Sequence, residues 1–213
     1  MARGAGWMLG LYAGLTIPFL LNDFANIYVK DFAAWVTIDY GFAKALPLLV
    51  IIAVCLSGRL AWADFGIARL PAILLIYYGL GMSVLGTLLD QYGLPLFTIL
   101  LPSEGLGGIP SAPDGSVLGW VDLHFGLFMT GVLEELIFRG LAFTALTRAG
   151  LPTWVVFTVS SIVFGMIHWS LGVAAVATTG LIGAVFMVGM WRTGSVLPLI
   201  FAHFVVNYIF FGF

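Results

Sequence analysis

The stretch GVAAVATTGLIGAVFMVGMW, residues 172–191, runs from end to end without an ionisable side chain. At ~1.5 Å of rise per residue, a helix of that length reaches ~30 Å, the hydrocarbon thickness of a bilayer. It reads as a membrane span. Working outward, apolar runs separated by polar residues, Pro or Gly predict further spans at 6–22, 42–58, 71–89, 117–147, 152–169 and 194–213. The composition agrees, with 62% apolar and only 8% charged residues among 213, where ordinary globular chains carry about 25% charged. No soluble sphere of this size hides so many apolar side chains. Lipid-exposed loops and open sheet edges are excluded from the hydrocarbon. The expected fold class is all-α: a polytopic membrane helix bundle of about seven transmembrane helices, forming one integral membrane domain over 1–213.

Between the spans, segment 59–70 mixes Arg59, Trp62, Asp64, Phe65 and Arg69, as an interfacial connector does. Segment 90–116 holds four prolines and reads as one long loop, within which apolar residues 94–101 make a short surface or re-entrant piece. The first apolar stretch, Trp7 to Leu21, lacks a following small-residue cleavage site and reads as an uncleaved span ending at Asn22 and Asp23. Arg3, Arg59, Arg69, Arg148 and Arg192 fall on one side of this arrangement, and only Lys30 and Lys44 fall opposite. The opposite loops take Asp23, Asp31, Asp39, Asp90, Glu104, Asp114 and Asp122. By the positive-inside rule the N-terminus is cytoplasmic and the C-terminus outside. The small size and short loops point to a bacterial or archaeal cell membrane.

Few basic residues and a net charge of −2 leave no stripe for a phosphate backbone, so no nucleic acid is expected as a partner. The lone Cys55 lies in an apolar run and reads as a small hydrophobe. Trp7, Trp35, Trp62, Trp120, Trp154, Trp169 and Trp191 stand near predicted span ends, as interfacial anchors do. His124 falls near the outer interface, where solvation or headgroup contact accounts for it.

Ionisable groups inside spans are costly, so those present are informative. They are Glu134, Glu135, Arg139 and His168, joined by His203 and Asn207 in the last span. Adjacent glutamates on a helix point about 100° apart and serve different roles. Glu135 and Arg139 stand at i,i+4 in the favourable order and neutralise each other. Glu134 then needs a partner from another helix. Counted from the assigned cytoplasmic ends, Glu134 lies at ~21 Å, His168 at ~24 Å, His203 at ~14 Å and Asn207 at ~20 Å, so all four meet in one layer toward the outer half.

A carboxylate, two imidazoles and an amide suit amide hydrolysis. Glu134 and His168 together can activate water, while His203 and Asn207 can donate hydrogen bonds to a developing oxyanion. A zinc ion on Glu134, His168 and His203 is the competing chemistry, although the compact HExxH arrangement is missing.

At these residues the chain resembles the CPBP intramembrane protease family, also called the CAAX-protease and bacteriocin-processing, or Abi, family. The resemblance rests on EExxxR at Glu134, Glu135 and Arg139, FxxxH at Phe164 and His168, and HxxxN at His203 and Asn207. It covers about the C-terminal 90 residues, which makes 117–213 the expected catalytic core. It implies a helical membrane endopeptidase of the glutamic type without a cofactor. Glu134 and His168 would activate water, and His203 and Asn207 would stabilise the oxyanion. It also implies a membrane-anchored protein or peptide as substrate, cut near its C-terminus or anchor within the lipid bilayer. Two other classes compete. A non-proteolytic scaffold or bacteriocin self-immunity protein of the same fold has no reason to keep Glu134, His168, His203 and Asn207 together. A proton-coupled transporter predicts repeats and broken helices in both halves, whereas the ionisable span residues crowd into the second.

Overall fold

A computed structural model describes residues 4–101 and 104–212. Among these residues there is no strand, and seven long helices make the bundle: α1 (Ala5–Tyr28), α2 (Phe32–Leu56), α3 (Ala72–Leu100), α4 (117–148), α5 (Thr153–Met166), α6 (Val173–Thr193) and α7 (Leu197–Gly212). α1, α2, α3 and α6 are each long and apolar enough to cross a membrane, and α5 and α7 are shorter apolar helices. α4 carries the charges, and its middle is buried on every side from Leu133 to Ala142. A helix buried all round belongs at the centre of a bundle, and α4 packs against α1, α5 and α7. The helical membrane bundle expected from the spans is the architecture observed. Arg3 and Phe213, which entered the expected spans and charge pattern, lie outside the described residues.

Three helices run further than expected. α1 continues to Tyr28, six residues past the predicted span. α2 begins at Phe32, ten residues before the predicted span, and α3 continues to Leu100, through the first part of the predicted loop. Each passes a proline, Pro47 or Pro95, in the first α-helical turn after a π-helical turn, Asp39–Ala45 in α2 and Leu89–Gly93 in α3. Proline lacks an N–H, and its ring normally clashes with a carbonyl in the preceding turn. A wider turn placed just upstream makes the proline a first-turn residue, where no donor is required. Of the predicted loop, the described residues that remain outside helices are 101 and 104–116.

That extension relocates charges. Asp23 and Asp39 belong to α1 and α2 and are buried, and Lys44 is buried beside Asp39, to which it is bonded. They are not loop residues. The π-helical turn brings Asp39 and Lys44, five apart in sequence, onto one side of α2. Trp35 is likewise no interfacial anchor, since it is buried and donates to Asn26 Oδ1 at 2.8 Å.

The connector between α2 and α3 keeps Arg59, Trp62 and Arg69 exposed, as an interfacial segment should, but Leu60 and Phe65 turn inward. Phe65 is fully buried against the π-helical turn Leu136–Leu141 of α4. The Val196 amide donates to the Gly66 carbonyl at 2.9 Å, Ser195 Oγ to the Ala68 carbonyl at 2.8 Å, and Arg148 pairs with Asp64. The connector therefore plugs the bundle at the end where Arg59, Arg69, Arg148 and Arg192 lie. A Cβ on Gly140 would overlap the Phe65 carbonyl and approach Gly66 N to 3.0 Å. Gly140→Ala is expected to lower stability by about 1–3 kcal/mol, the usual cost of overpacking. Thermal unfolding in detergent checks this.

Candidate active site

Opposite the plug, a cavity of about 510 Å³ opens within the bundle. Glu134 of α4, His168 just beyond α5, and His203 and Asn207 of α7 all line it. Three motifs far apart in sequence thus converge on one space. Glu134 and His203 are buried, while His168 and Asn207 are half-buried.

Beneath the cavity lies a closed set of charges. Arg139 Nη1 stands 3.1 Å from Glu135 Oε1, with both side chains fully buried, in the i,i+4 pair expected from the sequence. The same carboxylate oxygen lies 2.7 Å from His203 Nδ1. A carboxylate can only accept, so His203 carries its proton on Nδ1. Its other nitrogen, Nε2, faces Glu134 Oε2 at 3.6 Å, longer than a hydrogen bond. The two glutamates keep separate roles, yet they flank one imidazole from its two nitrogens. Glu134 does find its partner on another helix, and that partner is His203. No hydrogen bond joins Glu134 to His168.

Phe164 joins the parts. The Arg139 guanidinium stacks 3.8 Å from the centre of its ring, and the imidazoles of His168 and His203 approach it edge-on, at centroid distances of 5.4 and 6.0 Å. Phe186 lies beside the guanidinium as well. Aromatic faces attract a cation and cost it little hydrogen bonding. Gly183 of α6 provides the clearance, since a Cβ there would come within 3.0 Å of the Phe164 ring. His168 Nδ1 contacts the Phe164 carbonyl at 3.2 Å, which again puts the proton on Nδ1 and leaves Nε2 as an acceptor.

The remaining walls come from residues that sequence reasoning set aside as loop charges or span ends. Asp23, Asn26, Asp39, Lys44, Asp90 and Asp122 line the same cavity, and residues 109–112 of the loop lie along it. Asp39, Asp90 and Asp122 each fall in a π-helical turn, a local irregularity common at functional sites. The clue in the sequence was the spacing of Asn22, Asp23 and Asn26, which share one side of a helix if α1 is carried past residue 22. Trp169 also departs from its expected anchoring role, donating Nε1 to the Leu20 carbonyl of α1 at 2.9 Å. His124 is half-buried, stacked on Trp120 with Nδ1 at 2.8 Å from the Trp120 carbonyl, and takes no part in the cavity. As to zinc, among the described residues no three His, Cys, Asp or Glu side chains converge closely enough to hold a metal ion. Glu134, His168 and His203 therefore do not fit that role as they stand.

Residues 116–209 of this bundle match the family model described as type II CAAX prenyl endopeptidase Rce1-like. The matched segment contains all three motifs, and it bears out the resemblance to the CPBP intramembrane proteases. That match supports a CAAX-protease-type peptidase, and together with the apolar helices it points to an integral membrane protein. No curated protein and no solved structure matches the chain.

Removing one partner of a buried ion pair leaves an uncompensated charge, at a cost of about 3–5 kcal/mol. Arg139→Ala is expected to destabilise the bundle by that amount. Arg139→Ala combined with Glu135→Gln should recover part of it, as read by unfolding in a detergent titration.

Proposed function

We propose that the protein is a glutamic-type intramembrane endopeptidase, cutting a membrane-anchored protein or peptide near its C-terminus or anchor. The observation that carries this reading is the convergence of Glu134, His168, His203 and Asn207 on one cavity, above the buried ion pair of Glu135 and Arg139. Glu134, whose Oε2 accepts no hydrogen bond, takes a proton from water, and His168 holds that water from the other wall through Nε2. The water oxygen attacks the scissile carbonyl carbon and the carbonyl oxygen becomes an oxyanion. Asn207 donates from its amide. His203, with Nδ1 committed to Glu135, can donate only from Nε2–H of the imidazolium. Glu134 then returns the proton to the leaving nitrogen as the C–N bond breaks, releasing a new carboxylic acid and a new amine, and the acid gives up its remaining proton to solvent. General acid–base work of this kind contributes about 10²–10⁴-fold, and an oxyanion donor about 10²–10³-fold.

The positive-inside distribution supports a cytoplasmic N-terminus, an external C-terminus, and a site facing the outer side of a prokaryotic membrane. The plugged end is the basic end, and loop residues 109–112 lie along the cavity at the other. A substrate presented from the outer leaflet fits this arrangement best.

The test uses purified protein in detergent with two probes: a farnesylated CAAX peptide, and an unprenylated peptide with a C-terminal membrane anchor. Glu134→Gln is expected to abolish cleavage, and Asn207→Ala to lower kcat by about 10²-fold or more, both without loss of folded protein. Cleavage that survives Glu134→Gln, or that a chelator abolishes, would overturn the glutamic reading. Failure of the wild type to cut either probe would favour the scaffold. Orientation is checked by labelling cysteines introduced at Tyr28 and Arg192 in a Cys55→Ala background. Only the first should react from outside.

A further inference from the structure

His168 stands on a turn that α5 alone does not hold. It follows the last residues of α5 and opens the short 3₁₀ turn Trp169–Leu171. α5 holds His168 through its amide, which donates to the Gly165 carbonyl at 3.0 Å, and through Nδ1 on the Phe164 carbonyl, while the next residue but one, Ser170, is held from outside α5. The Leu106 and Gly107 amides of the loop donate to the Ser170 carbonyl, and the remaining bonds come from α1. The Ser170 amide donates to Asp23 Oδ2 at 2.7 Å. Asn26 Nδ2 donates to Asp23 Oδ1 and to Ser170 Oγ, both at 3.0 Å. Asn26 Oδ1 in turn accepts from Trp35 Nε1. Asp23, Asn26 and Ser170 are all buried, so each of these bonds lies in a setting where losing a partner is costly.

We infer that Asp23 and Asn26 of α1 are positioning residues for His168, acting through the backbone and hydroxyl of Ser170. This rests on the reading of His168 as part of the water-activating pair. α1 lies outside the segment that matches the family model, so this support comes from the chain's other half. Asp23 acts as an acceptor at both oxygens, while Asn26 gives two donors and one acceptor. The assignment is reversible in one specific way. With Asp23→Asn and Asn26→Asp together, residue 23 still accepts from the Ser170 amide and donates its N–H to residue 26, which also accepts from the Ser170 hydroxyl and from Trp35. Each single substitution breaks the set and the exchange restores it.

The experiment uses the full chain in detergent micelles with ¹⁵N-labelled histidine. The three histidines, His124, His168 and His203, give three sets of imidazole signals, assigned from His→Ala variants. Asp23→Ala and Asp23→Asn are expected to move the His168 signals and leave those of His124 and His203 in place. On the farnesylated CAAX peptide, or on the anchored peptide if only that is cut, kcat should fall by about 10²-fold with KM within about twofold, as for a catalytic group misplaced by about 1 Å. The exchange variant should return both the signals and kcat toward wild type.

Unchanged His168 signals in both single variants, or a rise in KM with kcat unchanged, would overturn the inference. If all three imidazoles move, the exchange variant decides: recovery supports positioning, and no recovery overturns it. A fully active His168→Ala would instead overturn the catalytic reading of His168, and an inactive one beside normal Asp23 variants would overturn only the inference.

Discussion

Glu135 carries the charge balance of the bundle interior. One of its oxygens meets both the Arg139 guanidinium and His203 Nδ1, at full burial in the middle of the central helix. A lone carboxylate or guanidinium there would be expensive in a medium that solvates neither. Together they neutralise one another, and the contact of Glu135 with His203 Nδ1 fixes which nitrogen of His203 faces the cavity. The orientation of α7 relative to α4, the choice of Phe164 as a stacking surface and the need for glycine at 183 all follow from housing this group. A structural pair read from i,i+4 spacing is thereby part of the site, because it sets the tautomer of an imidazole that Glu134 faces.

Irregular backbone is the second constraint. α2, α3 and α4 each contain π-helical turns, which lie beside polar side chains lining the cavity or, in α4, carry Arg139. Pro47 and Pro95 each stand in the first α-helical turn after such a widened turn. The widened turn lets the helix continue and rotates the residues beyond it. Polar groups from α1 to α4 can then share one interior space without a loop entering the hydrocarbon.

A division of labour results. The segment 116–209, which matches the endopeptidase family, contains Glu134, His168, His203 and Asn207. The first half supplies much of the remaining wall and, through Asp23 and Asn26, the hydrogen bonds to the turn on which His168 stands. The connector carrying Phe65 closes one end, so the space is reached from the side where α1 ends and the loop begins.

Much of this was legible in the residues themselves. Spans of the right length, the pairing of Glu135 with Arg139, and the common layer of the four polar residues all depend on rise per residue and on local spacing, which are properties of a helix whatever its neighbours. The full extent of α1, α2 and α3 was not legible, because polar residues, Gly and Pro were read as breaks between spans and nothing local announces that the helix runs on through them. Nor was the burial of Asp23 and Asp39, which looked like loop charges once the spans were drawn short, or that of Lys44, which was counted with the charges of the outer side. The partner of Glu134 is His203, and the partner of Asp23 is the amide of Ser170, 147 positions away. Periodicity and spacing act within one helix and so determined the helices and their polar stripes. Which stripes meet was decided by packing, since only the assembled bundle brings polar groups distant in sequence beside one another.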